Sequence, residues 1–146
     1  MEPGGEPGLS RDLDALPVAE FGFPGELRDR LVVAILSGEK TSTSSLLAEY
    51  EQDDDPLSEV GMQYAVVDSD GRRVAVIETT EVRVVPLGEV DLAFARDEGE
   101  SFETVAEWRE AHERFWASYL PGLAFDDETL VVAERFRLVE TSQQQV

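Results

Sequence analysis

Residues 62–85, MQYAVVDSDGRRVAVIETTEVRVV, predict a β-hairpin. Apolar and polar side chains alternate from Met62 to Asp68 and again from Arg73 to Val85, as expected of half-buried strands. The two runs are separated by Ser69-Asp70-Gly71, and an Asp-Gly pair is a strong signal for a tight turn. The two strands and the turn between them are therefore predicted from this stretch alone.

Helical patterns lie on both sides of this hairpin. Before it, apolar residues of 26–37 recur at helical spacing, Gly38 is suited to end the helix, and 44–51 is predicted as a short second helix. After it we predict helices over 90–97 and 102–119 and a last strand over 129–139. The pattern indicates one α+β domain over residues 18–140, with a flexible Pro- and Gly-rich tail at 1–17 and a polar tail at 141–146.

The composition restricts the partners and chemistry of the chain. Its formal net charge of −20, from 32 acidic and 12 basic side chains, disfavours binding to long RNA, which requires displacement of counterions by basic groups. Without cysteine and with one histidine, the chain has no thiolate nucleophile and no multi-histidine metal centre, so we expect neither metal nor cofactor. No apolar run reaches membrane-spanning length, and we expect a soluble cytoplasmic protein of unknown oligomeric state.

Lys40 is the only lysine of the chain, within Gly38-Glu39-Lys40-Thr41-Ser42-Thr43. Arginine serves as a simple cation equally well but stays charged in proteins, whereas a desolvated lysine can lose its proton. An amine close to several hydroxyls can also combine a lysine base with a hydroxyl nucleophile. The alternative is that Lys40 is a surface residue in a chain with few lysine codons.

Three further side chains are candidates for a site or for the core. Glu78 and Glu134 each interrupt the apolar face of a strand, where a buried carboxylate needs a partner. Glu78 fits a site and a structural ion pair equally well, and Glu134 favours the structural role. His112 follows Trp108 at helical spacing in an aromatic stripe, which favours a packed, hydrogen-bonded histidine over a catalytic one.

The order of several short motifs resembles the ASCH domain family over about residues 20–140. The motifs are Gly38-x-Lys40-x-x-Thr43, Gly61-x-x-Tyr64, Ile77-Glu78-Thr79-Thr80-Glu81-Val82, Phe94-Ala95-x-x-Glu98-Gly99 and Trp108-Arg109-x-x-His112. The resemblance implies a PUA-like fold, a small β-barrel flanked by helices. It also implies a protein that binds or acts on a nucleoside or a modified RNA base.

Small members of that family hydrolyse the acyl amide of N4-acylcytidines with a lysine, a threonine and a glutamate. Carried over by motif, these residues are Lys40, Thr43 and Glu98, with Glu78 as the alternative carboxylate. Tyr64, Trp108 and Glu78 are the candidates for contact with the ligand. Two other functions remain open: a non-catalytic reader of RNA or of a nucleoside, and a metal-assisted ribonuclease.

Overall fold

The computed structural model describes residues 15–141. Its strands and helices are β1 (Val18–Ala19), α1 (Glu26–Ser37), β2 (Ser42–Leu46), α2 (Leu47–Asp53), β3 (Gln63–Val67), β4 (Arg73–Pro86), α3 (Leu92–Asp97), α4 (Val105–Tyr119) and β5 (Leu130–Thr141), with a 3-10 turn at Leu87–Glu89. None of the helices in this range has the length and apolar character needed to cross a membrane.

The described strands form one five-stranded sheet in the order β1-β3-β4-β5-β2. The hairpin prediction is confirmed, since β3 and β4 pair antiparallel, and β4 continues along β5 for most of its length. The prediction of a barrel is wrong, because the sheet is not closed. Its outer strands are the two-residue β1, parallel to β3, and the five-residue β2, antiparallel to β5, and these two edges do not pair within the described chain.

Two apolar clusters hold the helices to the sheet. One packs α3 and α4 against the sheet through buried residues that include Phe94, Trp108 and Trp116. The other packs α1 against β3 and β4 and includes Phe21 and Ile35. Burial of large apolar side chains in both clusters is the main favourable contribution to the stability of such a fold.

The structure corrects two boundaries. The predicted helix at 44–51 is wrong in its first turn, because Ser44 to Leu46 pair with Ala133, Val132 and Val131 of β5, and α2 begins only at Leu47. At the other end Thr141 pairs with Ala75 and is part of β5 instead of the predicted tail. Residues 1–14 and 142–146 of the two predicted tails lie outside the described residues.

Candidate functional site

A cavity of about 840 Å³ lies where the two apolar clusters meet. Its walls come from two groups of elements. The helical side comprises α1 with the segment before it, α2 with the loop after it, the residues that follow α3, and α4. The sheet side comprises the α1–β2 loop, β2, β3, and the facing parts of β4 and β5. The volume lies within the range of roughly 300–1,000 Å³ typical of small-molecule sites. Of the predicted site residues, Lys40, Thr43, Tyr64 and Glu98 line this cavity.

Lys40 is held in place by two glycines. Gly38 ends α1 with a φ of 88°, and the Lys40 backbone N–H then donates to Ala34 O at 3.0 Å. Gly99 crosses the Lys40 backbone so closely that a Cβ at position 99 would lie 2.8 Å from Lys40 Cα. Lys40 is consequently only 2% exposed, although it touches the cavity wall.

The Lys40 amine faces three oxygen atoms. Nζ donates to Ser42 O at 2.8 Å and to Glu98 O at 3.3 Å, and it lies 3.6 Å from Glu98 Oε1. Three acceptors match the three N–H groups of an ammonium, and a neutral amine has only two. The Lys40 amine thus forms two hydrogen bonds and one ion pair within the protein.

Glu98 is buried and contacts four polar side chains. Oε2 accepts from Ser44 Oγ at 2.7 Å and from Trp108 Nε1 at 2.9 Å, while Oε1 faces His112 Nε2 at 3.1 Å and Lys40. Burial alone raises the pKa of Glu98, but the charges of His112 and Lys40 and the hydrogen bonds from His112 and Trp108 outweigh it and lower the pKa to about 2. Glu98 is therefore ionised and a very weak base.

Both ring nitrogens of His112 face oxygen acceptors. Nδ1 lies 2.8 Å from Trp108 O, a carbonyl that can only accept, and Nε2 faces the ionised Glu98. Each nitrogen must therefore carry a proton, which makes the ring an imidazolium. Burial alone lowers the pKa of His112, but the Glu98 carboxylate raises it above its ordinary value. Its ring stacks on Trp108 at 4.4 Å and lines the cavity.

The edge strand β2 sends its hydroxyls in two directions, because neighbouring side chains of a strand point to opposite faces. Ser44 Oγ donates to Glu98. Thr43 and Ser45 lie on the other face, and Ser45 Oγ donates to Tyr50 OH at 3.2 Å. Thr43 lines the cavity, but within residues 15–141 its hydroxyl forms no hydrogen bond to Lys40 or Glu98.

A second polar group occupies the cavity wall on the Thr43 face. Glu134 is the residue opposite Thr43 in the β2–β5 pairing, and its Oε2 accepts from Tyr50 OH at 3.2 Å. Burial raises the pKa of Glu134, and the Tyr50 hydrogen bond reduces this shift without reversing it. Burial likewise raises the pKa of Tyr50, to about 12. Glu134 is thus a stronger base than Glu98.

Of the three residues predicted to contact the ligand, one lines the cavity and two do not. Tyr64 lines the cavity and donates its hydroxyl to Ser58 Oγ at 2.7 Å. Trp108 does not reach the cavity, because it is fully buried behind Glu98. Glu78 does not reach it either: bulges on both sides of residues 77–79 leave Ile77 and Thr79 facing inward. Glu78 instead bonds to Gln63 Nε2 and Arg137 Nη2 on the other face.

A possible metal-binding arrangement is limited to one group of side chains in the described chain. Ligand atoms of Glu98, Glu100 and His112 lie within 4.8 Å of one another. To hold a cation, His112 would have to lose the proton that faces Glu98, and the ion would lie beside the Lys40 ammonium. The resident charges therefore oppose a divalent cation at this position.

Comparisons with known proteins identify the family of this fold. The sequence model of the ASCH domain matches residues 18–140. The chain belongs to the ASCH domain family. This family has a PUA-like fold of the RNA-binding type. No curated protein matches the sequence.

Two solved structures are similar to this ASCH domain over most of its length. Protein EF3133 from Enterococcus faecalis V583 is 30% identical, with a TM-score of 0.76 over 92% of this chain and 79% of that chain. An ASCH domain from Lactobacillus crispatus JV V101 is 29% identical, with a TM-score of 0.73 over 85% of this chain and 80% of that chain. A third structure, hypothetical protein PH0355, is 15% identical with a TM-score of 0.56 and supports the fold alone.

Sequence reasoning missed the roles of Ser44, Tyr50 and Glu100 in the cavity wall. The signal for Ser44 was the run Thr41-Ser42-Thr43-Ser44-Ser45, because a stretch rich in Thr and Ser fits an edge strand better than a helix. His112 is packed and hydrogen-bonded as favoured, and it also faces the cavity. Helical spacing alone does not show that second contact.

Proposed function

We propose that this ASCH domain hydrolyses the acyl amide of an N4-acylated cytidine, with Thr43 as the nucleophile and with Lys40 and His112 as fixed cations. The observation that carries the proposal is the convergence of the family motif on one cavity: Lys40, Thr43 and Glu98 all line it. The Lys40–Glu98 pair is 2% exposed on both sides, so its charges act in a medium that screens them weakly.

The cavity supports a nucleoside-sized substrate. Its volume of about 840 Å³ accommodates a base, a ribose and a short acyl group. Tyr64, Tyr119 and Phe115 supply aromatic surface in the same wall. The net charge of −20 argues against a long polynucleotide as the ligand, so we favour a free nucleoside or a single modified base.

The fixed cations Lys40 and His112 have a specific role in the proposed amide hydrolysis. Attack of Thr43 Oγ1 on the acyl carbon places negative charge on the carbonyl oxygen, and preorganised cations lower the barrier by stabilising that charge. Glu98 holds the Lys40 ammonium and the His112 imidazolium at fixed positions through its two oxygens. Glu98 is a positioning residue in this mechanism, because its own oxygens already face four donors.

The direct test is incubation of the purified chain with N4-acetylcytidine, followed by chromatographic detection of cytidine and acetate. We expect turnover by the parent and by Thr43→Ser, which keeps a hydroxyl, and loss of turnover in Thr43→Val, which has nearly the same shape. Glu128→Gln is a suitable control, since Glu128 is exposed and outside the cavity.

Calorimetric titration with the same nucleoside separates enzyme from reader. Saturable binding without turnover would replace the hydrolase proposal with a nucleoside-binding function. Equal turnover by the parent and Thr43→Val would refute the role of Thr43.

A further inference from the structure

Hydrolysis through Thr43 requires a group that takes the hydroxyl proton. Lys40 is unsuited to this task because its three N–H groups face three acceptors. Glu98 is also unsuited, because Ser44, Trp108 and His112 donate to its carboxylate and the Lys40 amine pairs with it at 3.6 Å. The family motif therefore supplies a nucleophile and cations but no available proton acceptor.

The strand pairing brings another carboxylate next to Thr43. In the antiparallel β2–β5 pair, Thr43 lies opposite Glu134, flanked by the pairs Ser42–Arg135 and Ser44–Ala133. Directly opposed residues share a face, with Cβ atoms about 4.5–5.5 Å apart. Both side chains line the cavity. Thr43 and Glu134 are therefore direct cross-strand neighbours on one face of the sheet, within the same cavity wall.

The surroundings of Glu134 leave one of its oxygens available. Oε2 accepts from Tyr50 OH, and among the described residues Oε1 accepts no hydrogen bond. The group facing it on β4 is Val82. The titratable groups on α2 are Glu49, Tyr50, Glu51 and Asp53, and Glu49 accepts from Tyr119 OH at 2.8 Å. No cation is paired with Glu134 in the described chain. The structure gives this carboxylate no ion-pairing role.

We propose that Glu134, oriented by Tyr50, accepts the Thr43 hydroxyl proton and later returns it to the leaving amine. This inference rests on the proposed function and assigns a catalytic residue to the same cavity. Because burial raises the pKa of Glu134, its carboxylate is a better proton acceptor than that of Glu98.

The proton and bond changes balance without any further reactant. The Thr43 hydroxyl proton moves to Glu134 Oε1 as Oγ1 bonds to the acyl carbon. The bond from that carbon to N4 then breaks, N4 takes the proton from Glu134, and cytidine leaves an acyl ester on Thr43. Water attacks the ester while Glu134 takes one of its protons, and that proton returns to Thr43 Oγ1 as the carboxylic acid departs.

The first experiment measures kcat against pH for hydrolysis of N4-acetylcytidine. We expect Glu134→Gln to reduce kcat by about a hundredfold or more, the usual effect of a positioned acid or base. Tyr50→Phe removes a hydrogen bond that lowers the pKa of Glu134, so the acid limb of its profile should move to higher pH. Parent-like kcat in Glu134→Gln, or an unmoved acid limb in Tyr50→Phe, would overturn the inference.

The second experiment does not depend on the natural substrate. The chain is treated with p-nitrophenyl acetate, and acetylation of Thr43 is followed by peptide mass spectrometry, with Thr43→Val as the blank and Glu128→Gln as the charge-matched control. We expect acetylation in the parent and about a hundredfold slower acetylation in Glu134→Gln. Equal rates, or no acetylation of the parent, would overturn the role of Glu134. Failure with N4-acetylcytidine alone would instead refute the proposed function.

Folding should not obscure either result. Because burial raises the pKa of Glu134, ionisation of this group opposes folding above its ordinary value of 4.5. The neutral amide introduced by Glu134→Gln is therefore expected to leave the unfolding midpoint in urea unchanged or higher at pH 7. A variant that is folded and slow separates a catalytic role from a structural one.

Discussion

Replacement of Glu98 by Gln removes the carboxylate that pairs with both Lys40 and His112. Ser44 and Trp108 donate to one oxygen, and His112 and Lys40 face the other. Glutamine keeps one acceptor oxygen, so about two of these contacts are lost, each worth roughly 1.5–3 kcal/mol when an ion is involved. The sum, about 3–6 kcal/mol, agrees with the roughly 3–5 kcal/mol that follows removal of one partner of a buried ion pair.

Urea unfolding at pH 7 measures this loss directly. Glu100→Gln is the matched control, because Glu100 lies two residues away and burial raises its pKa, so neutralising it removes an unfavourable charge. The folded pKa of Glu98 is lowered, and its contribution is therefore present above its ordinary value of 4.5 and is lost as pH falls towards about 2. A loss below about 1 kcal/mol in Glu98→Gln at pH 7 would refute the buried-pair interpretation.

Three further predictions concern the stability of these contacts, and a fourth concerns the net charge. His112→Gln should destabilise the fold by about 1.5–3 kcal/mol below pH 6.5, and the difference should shrink as pH rises through the raised folded pKa; urea unfolding at pH 6 and pH 9 tests this. Gly99→Ala should cost more than about 2 kcal/mol in thermal unfolding, because φ is +77° and the added Cβ meets Lys40. Gly71 has a φ of +83° and open space around it, so Gly71→Ala should show only the cost of the positive φ, without a steric clash. Lys40→Arg should lower the free energy of unfolding by about 1–3 kcal/mol, because the larger guanidinium overpacks a buried position. Arg114→Lys is the control, and this exposed substitution should change the free energy of unfolding little. Finally, fluorescence anisotropy should show weak binding to an unmodified single-stranded oligonucleotide at physiological salt, and tight, salt-sensitive binding would contradict this.

The sequence predicted those elements whose signal is local. The hairpin has alternating side chains and an Asp-Gly turn within 24 residues, 62–85. Helix α1 has an apolar face and a terminal glycine. Each of these elements could therefore be predicted from its own residues alone. β1 has two residues, and β2 is mainly hydroxyl side chains without apolar alternation. Their strand conformation comes from pairing with β3 and β5 far along the chain, which no local pattern reports. The closed barrel was implied by the family resemblance alone. It is wrong because closure requires the two outer strands to pair, and β1 and β2 do not pair in the described chain.

The site was predictable to the extent that motifs marked it. Lys40, Thr43 and Glu98 were named from the family pattern, and they reach one cavity. Glu78 was misplaced because strand alternation predicts a face only where the register is regular, and β4 has two irregularities around this residue. The proximity of Thr43 and Glu134 depends on the β2–β5 register, and the sequence separation of these two residues gives no indication of it.

The structure explains why position 40 is a lysine and not an arginine, and this explanation does not require Lys40 to lose a proton. Position 40 is enclosed by Gly99, whose α-carbon leaves no room for a Cβ beside the lysine backbone, and the side chain ends among three acceptors. An ammonium is a compact charge with three donors that can point in three directions, whereas a guanidinium is a wide planar fork. Lysine is then required for its shape and its charge. The ammonium lies beside Glu98, and the stronger base, Glu134, lies opposite Thr43 on β5, so one cavity wall contains both a fixed cation and a separate proton acceptor.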